Sequence, residues 1–125
     1  MEGLHILAEW RDCSASPGLL RQAELLEQLC LEACRGAGLT VVGWLFHPFG
    51  TPEQPAGATG AVVLAESHLA IHTWPELEAV TLDLYVCNFS RDNRAAAEAA
   101  YAALLQAFGP ARVSRRDVQR GSLAS

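Results

Sequence analysis

Four strand-like runs in succession, with a helical segment on either side, limit most strongly what this chain can fold into. The runs are apolar or alternate in polarity, and most are rich in β-branched residues, which is typical of strands. They cover residues 39–46, 59–64, 69–73 and 80–87. A chain of 125 residues is long enough for one domain with a single core.

The first helical segment lies between a predicted strand at residues 4–10 and these four runs. Ser16 is a favourable N-terminal cap, and Pro17 suits the first turn of a helix. We therefore expect one continuous helix that ends at Gly36 or Gly38.

The second helical segment is alanine-rich and covers residues 91–108, with Ser90 or Asp92 as its cap and Gly109 as its stop. A last strand follows at residues 112–118. This order predicts an α+β fold, a two-layer sandwich with a mostly antiparallel sheet and two helices on one face. Two helices leave the other face poorly covered, so we expect that face to pack on another subunit.

Two segments are predicted to be irregular. Residues 48–58 contain three prolines and two glycines and indicate a long loop, and the polar tail at residues 122–125 is expected to be disordered.

Composition and charge exclude several function classes. The net charge is -5 and the arginines form no basic stripe, which argues against a nucleic-acid partner. No apolar run reaches membrane-spanning length, and the N-terminus lacks a signal-peptide pattern. We therefore expect a cytoplasmic protein with no membrane partner.

Lysine is absent, because all nine basic residues are arginine. Pyridoxal phosphate enzymes hold their cofactor on a lysine, so this chain is not a conventional pyridoxal enzyme.

The polar residues after the second run resemble two familiar kinds of site. The helical zinc motif needs a glutamate directly after its first histidine, but Leu69 follows His68. On a strand, His68 and His72 would lie roughly 13 Å apart, too far to share one ion, so we expect no metal. Ser67 lacks the Gly-x-Ser-x-Gly turn of α/β hydrolases.

The four cysteines, Cys13, Cys30, Cys34 and Cys87, lack the paired spacing of a zinc or redox motif. Cys30 and Cys34 lie one helical turn apart and are expected to be small core residues.

Residues 66–76 read Glu-Ser-His-Leu-Ala-Ile-His-Thr-Trp-Pro-Glu. This stretch resembles the self-cleavage site of the prokaryotic S-adenosylmethionine decarboxylases, a family of small pyruvoyl-dependent enzymes. Residues 3–10, 46–49 and 81–87 resemble the family's opening strand, its Phe-His-x-Phe motif and the strand that ends in its catalytic cysteine. The pieces occur in family order along nearly the whole chain.

The resemblance implies a self-processing domain covering residues 1–125. The Ser67 hydroxyl would add to the Glu66 carbonyl, and elimination would release residues 1–66 from residues 67–125. A covalent pyruvoyl group would remain at residue 67 and form a Schiff base with the substrate amine. The family also implies a homodimer with active sites at the interface, and a product that serves as aminopropyl donor in spermidine synthesis.

Individual roles follow from the same resemblance. His72 matches the processing histidine, and a free histidine side chain, with a pKa near 6.5, suits proton abstraction at neutral pH. Cys87 matches the acid that returns a proton to the substrate α-carbon. Thr59 matches a hydroxyl residue that assists processing. Phe49 and Glu76 match positions that would stack on adenine and hydrogen-bond a ribose.

Two alternatives stay open at this point. Glu78 is an additional carboxylate that could pair with a distal ammonium or guanidinium group, which would fit an L-ornithine or L-arginine decarboxylase with the same pyruvoyl chemistry. The chain could also be an unprocessed, non-catalytic binding homologue.

Overall fold

The computed structural model describes residues 2–15 and 17–121, which form a six-stranded sheet with helices on one face. The strands are β1 (Gly3–Arg11), β2 (Val41–Gly50), β3 (Pro55–Leu64), β4 (Ser67–Trp74), β5 (Ala79–Cys87) and β6 (Arg112–Arg120). The helices are α1 (Pro17–Arg21), α2 (Ala23–Gly36) and α3 (Arg94–Phe108), and Pro75–Leu77 is a 3₁₀ turn. The strand order is β2-β3-β4-β5-β1-β6, and all neighbours are antiparallel. The predicted α+β sandwich is confirmed.

The core lies between the sheet and the helices, and Trp10 of β1 lies near its centre. Its side chain is fully buried, and its ring contacts Tyr101 and Phe108 of α3 at centroid distances of 5.6 and 5.7 Å. The indole N–H donates to the Tyr101 hydroxyl at 3.2 Å. This satisfied polar contact within apolar packing fixes α3 against the sheet.

The predicted single helix between the first two strands is wrong, because the structure has two helices there. Gln22 has extended backbone angles (φ -110°, ψ 118°), which end α1 and let α2 begin in a new direction. Both Leu20 of α1 and Leu26 of α2 are buried in this arrangement. Cys30 and Cys34 are buried in the core, as predicted. The predicted Ser16 cap lies outside the described residues.

The predicted loop at residues 48–58 is also wrong, because β2 continues to Gly50 and β3 begins at Pro55. The remaining connection is closed by two hydrogen bonds of 3.1 Å between the backbones of Thr51 and Gln54. Pro48 is tolerated within β2 because β2 is an edge strand, where one side of the backbone needs no partner.

The end of α3 agrees closely with the prediction, but its cap does not. The N-cap residue is Asn93, so the predicted cap at Ser90 or Asp92 is wrong, although the Asp92 carboxylate accepts the Arg94 N–H at 3.0 Å. Gly109 ends the helix in the left-handed conformation (φ 55°). The tail at residues 122–125 lies outside the described residues.

The face of the sheet opposite the helices is called the open face here, and no helix of the described chain covers it. Side chains alternate between the two faces of a strand. In β4 the buried residues are Ser67, Leu69, Ile71 and Thr73, whereas His68 is exposed and His72 half-buried. The open face therefore carries the histidines of β4 and, beside them, the polar residues of β5.

Candidate active site

A two-residue turn joins β3 to β4 at the predicted cleavage site. Leu64 pairs with Ser67, and Ala65 and Glu66 form the turn between them. Glu66 has φ 66°, a left-handed conformation that costs a non-glycine residue roughly 1–2 kcal/mol. Its Oε2 accepts hydrogen bonds from the Ser90 hydroxyl at 3.0 Å and the Ser90 N–H at 3.4 Å. The residue before Ser67 is therefore strained, and its side chain is held.

Ser67 begins β4 and is buried, with 8% of its surface exposed. Its Oγ accepts the backbone N–H of Cys87 at 3.3 Å. The Cys87 carbonyl in turn accepts the side-chain amide of the buried Asn93 at 2.9 Å. The structure thus brings Ser67 and Cys87 together, although they are separated by 20 residues.

The Cys87 side chain has a polar partner on the open face. Burial raises the pKa of Tyr85, and a hydrogen bond to the Cys87 side chain raises it further, while the nearby Arg120 acts in the opposite direction. Burial raises the pKa of the Cys13 and Cys34 thiols to about 11, and both side chains lie in the core. Cys87 is the cysteine that lies beside Ser67.

His72 and Thr59 form a second polar pair at the other end of the same strands. They are direct partners across β3 and β4, and Thr59 Oγ1 lies 3.1 Å from His72 Nδ1. Both residues line a cavity of about 260 Å³, together with Phe49, Trp74 and Glu76. Four of the predicted site residues are therefore grouped around one cavity.

The two pairs are far apart within one chain. Ser67 and His72 are five positions apart along β4. This spacing corresponds to roughly 16 Å and places the two side chains on opposite faces of the strand. The structure therefore does not bring His72 to Ser67 of the same chain.

Glu78 lies outside the cavity that contains Glu76. It follows the 3₁₀ turn in a left-handed conformation (φ 48°), and its side chain is exposed. Its carbonyl accepts the Cys13 N–H at 2.9 Å, so the backbone of Glu78 anchors the loop after β1.

Sequence reasoning missed an aromatic cluster beside Cys87. His5, Tyr85 and His68 lie in register on β1, β5 and β4. Their ring centroids are 5.5–6.3 Å apart, and the Arg120 guanidinium lies 4.7 Å from the Tyr85 centroid. Burial lowers the pKa of His5, and its Nε2 is buried without a partner among the described residues. Only the strand register, which the sequence does not reveal, joins these residues.

No cluster of three or more histidine, cysteine or acidic side chains among the described residues could hold a metal ion. No described helix is both long and apolar enough to cross a bilayer.

Comparison with known proteins gives concordant matches. The family model for S-adenosylmethionine decarboxylase matches residues 4–121. The S-adenosylmethionine decarboxylase proenzyme of Acidithiobacillus ferrooxidans is 37% identical over 121 residues, covering 97% of this chain and 84% of that protein. The proenzyme of Picrophilus torridus is 34% identical over 120 residues, covering 96% and 85%. The crystal structure of the Aquifex aeolicus adenosylmethionine decarboxylase matches with a TM-score of 0.82 at 32% identity, covering 97% of this chain and 92% of that one.

Proposed function

The chain belongs to the S-adenosylmethionine decarboxylase family, and we propose that it decarboxylates S-adenosylmethionine with a pyruvoyl group made from its own Ser67. One observation carries this proposal. Glu66, in a left-handed conformation, directly precedes the buried Ser67, whose Oγ accepts the backbone N–H of Cys87. The arrangement supplies a bond to break, a nucleophile and a thiol at one place.

Self-cleavage follows from these groups. The Ser67 Oγ attacks the Glu66 carbonyl carbon, the C–N bond breaks, and an ester replaces the amide. A base removes the Ser67 α-proton, and the Cβ–Oγ bond breaks, which leaves Glu66 with a terminal carboxylate. The dehydroalanine at residue 67 tautomerises to an imine, and water replaces its nitrogen, which leaves as ammonia. The products are residues 1–66 and residues 67–125 with a terminal ketone.

The residues around Ser67 fit such a group. A ketone next to an amide carbonyl takes the place of a pyridoxal aldehyde as electron sink in this lysine-free chain. Cys87 is 5% exposed and adjoins the position of that ketone, so its thiol can return a proton to the substrate α-carbon. Tyr85 holds the thiol through its hydroxyl.

We propose that His72 serves as the base, assisted by Thr59. Imidazole abstracts a proton with an unprotonated nitrogen. If Nδ1 carries the proton and donates to Thr59 Oγ1, Nε2 stays free to act as base. In that tautomer the Thr59 hydroxyl accepts from Nδ1 and orients the ring for the cleavage reaction.

We propose a homodimer, because each chain carries the two halves of the site too far apart to react. The Thr59–His72 pair of one copy would complete the Ser67–Cys87 pair of the other in the dimer. The cavity beside His72 also fits a half-site, because its 260 Å³ is below the range of about 300–1,000 Å³ that is typical of complete small-molecule sites.

The same cavity supports the choice of substrate. Phe49 and Trp74 present aromatic faces that are about half exposed, and Glu76 adds a carboxylate. Aromatic faces attract both a flat base and a cationic sulfonium, and the carboxylate can accept from ribose hydroxyls. Glu78, which would serve a basic amino acid, lies outside this cavity.

The test compares the purified wild type with Ser67→Ala. Intact-mass analysis should show two fragments for the wild type, of which the N-terminal one ends at Glu66. The variant should show one uncut chain. The processed protein should release carbon dioxide from S-adenosylmethionine, and not from ornithine or arginine. An uncut wild type would instead indicate a non-catalytic homologue, and release from ornithine or arginine alone would reject the proposed substrate.

A further inference from the structure

The loop between β5 and α3 reaches back to the cleavage turn. Ser90 lies 24 residues after Glu66 in sequence, yet both its hydroxyl and its N–H donate to the same carboxylate oxygen, Oε2. Hydrogen bonds to a charged acceptor are stronger than those between neutral groups. This pair of donors is therefore a specific attachment of the loop to the residue whose carbonyl must be attacked.

The loop that carries Ser90 is held in place from both sides. The Asn93 N–H donates to Asn88 Oδ1 at 2.8 Å, and the Asn93 side chain bonds the Cys87 carbonyl. Arg91 donates to Asn93 Oδ1 at 2.8 Å and to the Gly38 carbonyl at 2.6 Å. Ser90 therefore lies in a loop that hydrogen bonds hold in place relative to Cys87.

A strained backbone persists only where its surroundings hold it. The Glu66 conformation could relax by rotation of the turn, which would carry its carbonyl away from Ser67 Oγ. The Ser90 contact opposes this rotation because it fixes the Glu66 side chain while β3 and β4 fix the backbone on either side. Strain at Glu66 is released when the Glu66–Ser67 amide breaks, so holding it favours cleavage.

We propose that Ser90 is a positioning residue for self-cleavage, acting through the Glu66 carboxylate. This inference rests on the proposed function and adds to it a residue that follows Cys87 in the chain. It assigns Ser90 no contact with substrate or with the reacting atoms. Its effect is on the rate at which residues 1–66 separate covalently from residues 67–125.

The experiment follows cleavage of the full chain during cell-free synthesis, with samples taken over time for denaturing electrophoresis. Ser90→Ala should cleave about tenfold more slowly than the wild type, the loss expected for one hydrogen bond to a charged group. Ser90→Thr, which keeps the hydroxyl, should restore most of the rate. Ser14→Ala is the matched control, because Ser14 is an exposed serine in the loop after β1, and it should cleave at the wild-type rate.

A double-mutant cycle tests whether Ser90 acts through Glu66. Glu66→Ala should slow cleavage to a similar extent, and the Ser90→Ala/Glu66→Ala double variant should be no slower than the slower single variant. If the double variant instead slows cleavage by the product of the two single effects, Ser90 does not act through Glu66. Glu66→Gln keeps an acceptor oxygen and should fall between the wild type and Glu66→Ala.

To distinguish a positioning role of Ser90 from a purely structural one, the stability of the fold is measured in variants that cannot cleave. Ser67→Ala and Ser67→Ala/Ser90→Ala should unfold at the same urea concentration, and a lower midpoint in the second would assign the slower cleavage to general destabilisation. If the wild type cleaves and Ser90→Ala keeps its rate, this inference alone fails. If the wild type never cleaves, the proposed function fails with it.

Discussion

The two ends of the β3–β4–β5 ribbon differ in how far their polar residues are buried and in what surrounds them. At one end Ser67 and Cys87 are 8% and 5% exposed and are fixed by backbone hydrogen bonds. At the other end His72 and Thr59 border a cavity that faces outward. In the proposed function, the closed end would hold the bond that breaks, and the open end would hold the base and the binding groups. Their separation on the strands means that, under this proposal, neither end of one chain would act alone.

The largest change in activity is expected when one chain of a dimer carries a mutation at the closed end and the other chain carries a mutation at the open end. Cys87→Ala and His72→Ala should each be inactive as pure proteins. When the two are unfolded, mixed and refolded together, about a quarter of wild-type activity should return, because half of the dimers are mixed and one of their two sites is intact. Decarboxylation of S-adenosylmethionine measures the recovery.

The matched control mixes Cys87→Ala with the double variant Cys87→Ala/His72→Ala, in which no pairing of chains supplies an intact closed end. Recovery equal to that of the test mixture, or none in either mixture, would contradict completion of the site by a second copy.

A smaller effect is expected within the closed end. Tyr85→Phe keeps the ring beside His5 and His68 but removes the hydroxyl that bonds the Cys87 side chain. One such hydrogen bond corresponds to a two- to tenfold lower kcat, roughly, for decarboxylation by the processed enzyme. A kcat equal to that of the wild type would show that the thiol needs no partner on β5.

The smallest effect concerns pH. Burial lowers the pKa of His5 in the folded protein, so the unfolded chain binds more protons between that pKa and the ordinary value near 6.5. The stability that neutral His5 contributes is present above pH 6.5 and is lost as the pH falls toward the lowered pKa. His5→Gln in the uncleavable Ser67→Ala background should therefore flatten the decline of the urea midpoint between pH 7.5 and 5.5. An identical decline in both proteins would assign it to other groups.

Local sequence patterns predicted most strands and helices, because each type of element has a characteristic composition. The run before Ser67 and the run that ends at Cys87 are both observed strands. The break at Gln22 escaped prediction because no glycine or proline marks it. The strands on either side of residues 51–54 were missed because Pro48 lies on an edge strand and Pro55 is the first residue of β3, two positions where a strand tolerates proline.

The site was harder to predict than the fold, since it depends on register. The sequence motif identifies Ser67, His72 and Cys87 but gives no distances between them. The pairing of the strands places Ser67 in contact with Cys87 and not with His72. The approach of Ser90 to Glu66 depends on how one loop folds back on a turn. Neither contact has a periodic signal along the chain.

The strand order has a further consequence for the cut molecule. Residues 1–66 would contain β1, and residues 67–125 would contain β5 and β6, yet β1 lies between those two strands. Each fragment would contribute strands that pair between strands of the other, so dilution alone should not separate the two fragments. Once denatured, however, the pair would have to find each other again, and its renaturation would become a second-order process, unlike that of the intact precursor.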